Sequence, residues 1–151
     1  MDVTGVIGIV ANLLGTVLRI PRQRVALRAD TYERVLMSIG GEPDSTVYTR
    51  RGVIFVYNGG PGRVTVNGAG WEAKDGTLTE ADVPWNDKTL EPGGPELEAT
   101  GDPAELIRCH EAHGGLVRMF VNLAGDEKPR RRKLPDGWIT KLRTIGAADR
   151  G

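Results

Sequence analysis

Arg51 to Trp71 reads RGVIFVYNGGPGRVTVNGAGW, and this stretch decides the class of fold. Arg51 to Tyr57 places β-branched and aromatic residues in succession, the composition of a strand. Asn58-Gly59-Gly60-Pro61-Gly62 then breaks the chain, because glycine and proline together favour a turn over either regular element. Val64-Thr65-Val66 resumes as a strand. Asn67-Gly68 predicts a turn, Ala69 to Ala73 (AGWEA) predicts a further strand, and Asp75-Gly76 is a second hairpin signal.

The same texture continues on both sides. Upstream, Val25, Leu27 and Ala29 alternate with Arg24, Arg28 and Asp30, the period-two pattern of a half-buried strand. Tyr32 to Ile39 is expected as a second short strand, and Gly40 to Asp44 as a turn. Downstream, Val83 to Ala99 is rich in Pro and Gly and is expected to be a loop with one short strand near Leu97 to Ala99. One helix follows, with Asp102 as N-cap, Pro103 at its first position, Glu105 at its third and Gly114 ending it. Leu116 to Leu123 (LVRMFVNL) reads as a strong strand, and Ala124-Gly125-Asp126 as a turn. Lys128 to Leu134 reads as a last strand that Pro129 assigns to a sheet edge. Trp138, Ile139, Leu142 and Ile145 fall at helical spacing, so a short tail helix is expected, with Gly146 to Gly151 frayed. About seven short strands with frequent turns specify a sandwich or barrel.

Three groups of these residues resemble a family of immunoglobulin-like domains found in small bacterial proteins. Asn58, Gly60, Val64, Thr65, Val66, Gly70 and Trp71 match its early strand, turn and strand. Leu90, Glu91, Pro92 and Gly93 match a loop, and Val117 to Asp126 a late strand and turn. The resemblance spans roughly residues 50–135 and implies a fold and a membrane-proximal habit, but no activity. The expected class is therefore mainly β: an immunoglobulin-like antiparallel β-sandwich with an N-terminal hydrophobic helix and one short helix between strands. The units are residues 1–21 (helix), 22–135 (sandwich) and 136–151 (tail).

Val3 to Leu18 carries no charge. As a helix it is about 24 Å long, against a hydrocarbon core of ~30 Å. Val6, Val10, Leu13, Leu14 and Val17 recur at helical spacing, while Gly8, Ala11, Asn12 and Gly15 make the remaining face small rather than charged. A face of that kind admits close approach of another helix. Three settings satisfy it: a membrane anchor, a helix packed on other copies or in a partner's groove, or a helix folded onto its own domain. Asp2 stands where a secretory signal would be positive. If the segment spans a membrane, Arg19, Arg22, Arg24 and Arg28 place the domain on the cytoplasmic face. Otherwise a cytoplasmic location or one within a particle is expected.

The 151 residues carry 20 basic and 20 acidic side chains, so net charge attracts neither nucleic acid nor membrane. Cys109 is the single cysteine, which excludes an intrachain disulfide and suits a reducing compartment. The charge is unevenly placed: residues 72–111 are strongly acidic, and the flanking segments are basic. Lys128, Arg130, Arg131, Arg132 and Lys133 form the most concentrated charge feature, read either as a contact surface or as a solvated edge whose charge blocks sheet-to-sheet pairing.

Cys109, His110 and His113 share the predicted helix. Two histidines without a second ligand cluster do not make a zinc site, and Cys109 and His110, adjacent on a helix, do not face one another. Gly59 to Gly62 lacks the Lys-Ser/Thr and the helix of a phosphate loop. No catalytic, cofactor or metal residue is expected. The expectation is a non-enzymatic, membrane-associated interaction module that presents its sandwich to a protein partner, with no small-molecule substrate and no nucleic acid. The alternative is a structural subunit of a phage or injection-apparatus assembly, associating with copies of itself through the N-terminal helix and opposite charge poles.

Overall fold

The computed structural model describes residues 24–36, 47–84 and 88–148. In the first sheet, β1 (Val25–Leu36) pairs antiparallel with β2 (Val47–Asn58), and β2 with β6 (Leu97–Gly101). The second sheet runs in the order β4 (Leu78–Glu80), β3 (Val64–Ala73), β7 (Leu116–Leu123), β8 (Arg130–Lys133), and β5 (Thr89–Leu90) also pairs with β3. Helix α1 (Pro103–Ala112) joins β6 to β7, and α2 (Trp138–Ala148) follows β8. The protein is mainly β, with two antiparallel sheets of three and five strands and two short helices, an arrangement consistent with a sandwich.

Strand alternation places the core. Leu27, Ala29, Ile54, Val56, Leu97 and Ala99 of the first sheet share one cluster with Val66, Ala69, Trp71, Met119, Val121 and Leu123 of the second. Burying each large apolar side chain stabilises by about 1.5–3 kcal/mol. Leu106 of α1 and Trp138 and Leu142 of α2 complete this core. They sit over the cross-strand pair Gly52–Gly101, where a Cβ on either glycine would press into Leu106.

The helix caps follow the sequence reading. Asp102 accepts a hydrogen bond from the Glu105 amide at 3.1 Å, and Pro103 occupies the first turn. Beyond the C-cap His113, Gly114 takes φ +80°, a conformation that favours glycine.

Four expectations are corrected. Asn67-Gly68 is not a turn: a two-residue type I′ turn needs positive φ at both positions, and neither has it. β3 runs straight through, and the pair is absorbed as a register shift against β7 between Val66 and Gly68. The two strands expected from Val25 onward are one: β1 pairs without interruption along an equally long β2 as far as Leu36. The loop at Val83 to Ala99 holds a second short strand, β5, anchored because Asn58 Nδ2 donates to the Leu90 carbonyl at 2.9 Å. Finally, α2 continues past Gly146 to Ala148, because Gly146 lies against Ile107 and Pro103 of α1. The expected N-terminal helix and the turn at Gly40 to Asp44 lie outside the described residues.

Candidate functional site

The basic strand β8 is a sheet edge, paired only with β7, and its charges divide into two kinds. Arg130 Nε donates to Asp126 Oδ2 at 3.1 Å, and Arg131 Nε lies 3.2 Å from Glu72 Oε2. Arg132 points the other way and donates from Nη1 to the Leu27 carbonyl of β1 at 3.0 Å, bridging the edges of the two sheets. Lys128 and Lys133 are exposed and form no ion pair among the described residues. Three of the five predicted contact residues thus have a partner within the domain, with Arg131 and Arg132 also exposed, and two lysines project into solvent. Below Arg132, a groove of about 440 Å³ lies between β1 and β8, floored by Leu27, Ala29, Met119 and Leu134.

The outer face of the second sheet carries a pattern that only strand register reveals. One cross-strand row reads Leu78, Glu72, Arg118, Lys133 from β4 to β8. The next reads Glu80, Gly70, Phe120, Arg131. Phe120 is only 2% exposed although it projects outward, because its ring lies against Gly70, which has no side chain. Glu72 is clamped between Arg118 at 3.7 Å and Arg131 at 3.2 Å, and its Oε2 is buried. Leu78 is 50% exposed. Sequence reasoning passed over Leu78, Glu72, Glu80, Arg118 and Phe120, since nothing along the chain marks them as neighbours.

The acidic segment lies at the opposite lateral edge. Asp82 bridges to Thr100 of β6, where the chain crosses from the second sheet to the first. Glu80 and Asp82 there are exposed and unpaired among the described residues. Glu96 and Glu98 are neutralised by Arg28 at 3.2 Å and Arg34 at 3.7 Å. Glu80 and Asp82 therefore lie at the edge away from β8, whereas Glu72 and Glu111 of the same acidic segment are in contact with Arg118, Arg131 and Arg143 of the basic one.

The helix residues weighed for chemistry have structural partners. The Leu116 amide donates to His110 Nδ1 at 2.9 Å, which requires that nitrogen to be unprotonated. Burial lowers the His110 pKa from its ordinary value, and Arg143 lowers it further. His113 Nδ1 donates to Asp75 Oδ2 at 2.9 Å. Asp75 is held below the usual carboxylate range, first by the Thr77 amide and hydroxyl. Cys109 is half-buried. Among the described residues, no three of His, Cys, Asp and Glu converge where a metal could be held.

Fold and surface together define a two-sheet, mainly-β protein whose exposed features are a charged edge and a patterned sheet face. Comparison with family models, curated proteins and solved structures gives no match. Among the described residues, no helix is long and apolar enough to cross a membrane, and the uncharged segment Val3 to Leu18 lies outside them.

Proposed function

We propose that the protein is a non-enzymatic interaction module, an immunoglobulin-like sandwich tethered at the cytoplasmic face of a membrane by its uncharged N-terminal segment and presenting charged surface to a protein partner. The observation that carries this reading is the placement of exposed charge without an ion pair among the described residues: Glu80 and Asp82 at one lateral edge, Lys128 and Lys133, with Glu127 and Asp136 beside them, at the other. Exposed charge left without a partner inside the domain is what steers and registers a partner. The immunoglobulin-like topology is supported by strand order. β1, β2 and β6 stand where strands A, B and E would lie, and β3, β7 and β8 where C, F and G would lie. The non-enzymatic reading is supported by His110 and His113, whose Nδ1 atoms are engaged by Leu116 and Asp75.

Fractionation of cells expressing the full chain tests the tether, beside a chain beginning at Arg22. Release of the full chain from membranes by detergent but not by salt is expected, with the shortened chain soluble. A full chain that stays soluble and monomeric at every salt concentration overturns the reading.

The opposite signs of the two edges also favour a second reading, a structural subunit in the cytoplasm or within a particle that associates with its own copies. Its mark is a mass that rises at low ionic strength, since surface charge is screened beyond about 10 Å at 0.1 M salt.

A further inference from the structure

We infer that the outer face of the β4-β3-β7-β8 sheet is a self-complementary surface that pairs with the same face of a second copy about a two-fold axis. This rests on the interaction-module reading and names its partner. The axis lies parallel to the strands, midway between β3 and β7, so that β4 of one copy covers β8 of the other. Rotation about that axis keeps each cross-strand row over itself but reverses its order.

Reversal makes the exposed outer positions of the two rows complementary. In the first row, Leu78 faces the aliphatic stem of Lys133 of the second copy, beside a Glu72 that is buried and held by Arg118 and Arg131 of its own copy. In the second row, Glu80 faces Arg131, while Gly70 and Phe120 form a closed floor between them, since a Cβ at Gly70 would meet the Thr79 carbonyl and the Phe120 ring of its own copy. Sheets packed face to face keep their strands within about 30° of one another, so the match holds near the axis. The charges also call for it. Within one copy, Arg118 and Arg131 share the single carboxylate of Glu72, while Lys133 and Glu80 have no ion pair among the described residues. Pairing brings each Glu80 onto the other copy's surplus cations. Four strands about 4.8 Å apart make a narrow face, at the low end of interface size, so the pair is weak and salt-sensitive.

The test is sedimentation of the full chain in mild detergent across salt and protein concentration. The variants are Glu80→Lys and the double variant Glu80→Lys/Lys133→Glu. Neither residue has an ion pair in its own copy among the described residues, and circular dichroism checks that each variant folds. The wild type is expected to reach the mass of two copies at low salt and one at high salt. Glu80→Lys replaces two attractions with two repulsions, a weakening of about tenfold or more, and the double variant, whose new carboxylate at position 133 lies one row from the new ammonium of the other copy, regains part of the loss. A wild type that stays at one copy overturns self-pairing but leaves a different protein partner open to the module. Association that Glu80→Lys does not touch overturns the face and points to the N-terminal segment. A mass that grows without limit, and that Glu80→Lys abolishes, overturns the closed pair in favour of a head-to-tail chain.

Discussion

Trp71 of β3 stacks on Trp138 of α2, with ring centroids 5.9 Å apart and planes 23° from parallel. The contact joins the second sheet to a helix that follows the last strand. Trp138 Nε1 also donates to the Asp30 carbonyl of β1 at 3.1 Å, so the helix holds both sheets. The Trp71 indole N–H is buried without an acceptor among the described residues, a cost of about 1–3 kcal/mol that the stack and the surrounding core must offset.

The stack depends on two glycines facing each other across β2 and β6. A Cβ at Gly101 would lie 2.8 Å from Trp71 Cζ3 and 3.0 Å from Leu106 Cδ1, and one at Gly52 would lie 2.9 Å from Leu106 Cδ1. Gly101→Ala is expected to destabilise by about 1–3 kcal/mol through overpacking, with Gly52→Ala in the same direction. Urea denaturation of each variant measures this. A loss below about 0.5 kcal/mol for Gly101→Ala would mean that the tryptophans and α1 shift without strain.

Asn58 is 1% exposed and fully engaged. Its Nδ2 donates to the carbonyls of Gly62 at 2.8 Å and Leu90 at 2.9 Å, and its Oδ1 accepts from the Gly60 amide at 3.0 Å. Asn58→Ala leaves those buried groups unpaired and is expected to cost roughly 2–4 kcal/mol. Asn58→Asp is expected to be worse at neutral pH, because a carboxylate oxygen then faces two carbonyls. It should recover in part in acid, where the protonated carboxyl regains a donor. An Asp variant whose loss is the same at pH 7 and pH 4 would contradict this account.

Local signals carried much of the fold. The Asp102-Pro103-Glu105 start of α1 and the strand Leu116–Leu123 lie where residue types alone place them, since caps and β-branched runs act within a few positions. The basic edge at Lys128 to Lys133 was legible for the same reason. Asn67-Gly68 misled because a turn dipeptide inside a long paired strand can be taken up as a bulge when the flanking ladder is strong enough. The outer-face rows were illegible for a different reason. Leu78, Glu72, Arg118 and Lys133 become neighbours only once register across four strands is set, and register is a property of the whole sheet. The Gly52–Gly101 pair was hidden in the same way.

His110 gives the fold an acid-sensitive joint between α1 and β7. Its pKa is lowered, by burial first and then by Arg143, and its Nδ1 must stay unprotonated to accept from Leu116. Because the folded-state value lies below the ordinary value of 6.5, the contribution to stability is complete above about pH 6.5. It is lost as pH falls through the lower folded-state value. Asp75 adds a second loss at lower pH, below its ordinary value of 3.8. Stability measured from pH 7.5 to 4.5 should therefore decline, and His110→Gln should flatten that part of the curve. An unchanged slope in His110→Gln would place the sensitivity elsewhere.

The division within β8 is testable residue by residue. Arg132 ties the open side of the sandwich by donating to the Leu27 carbonyl, and its planar guanidinium suits a bond that spans two sheet edges. Arg132→Ala is expected to cost about 1–2 kcal/mol and to loosen the β1–β8 side, seen as faster amide exchange in both strands. Arg132→Lys keeps the charge but loses the fork of donors, so it should recover only part of that. Lys128→Ala and Lys133→Ala remove exposed charges with no ion pair among the described residues, and dilute-solution stability should change by no more than about 0.5 kcal/mol. If the lysine variants destabilise as much as Arg132→Ala, the strand works as one electrostatic unit, and its lysines are not reserved for a partner.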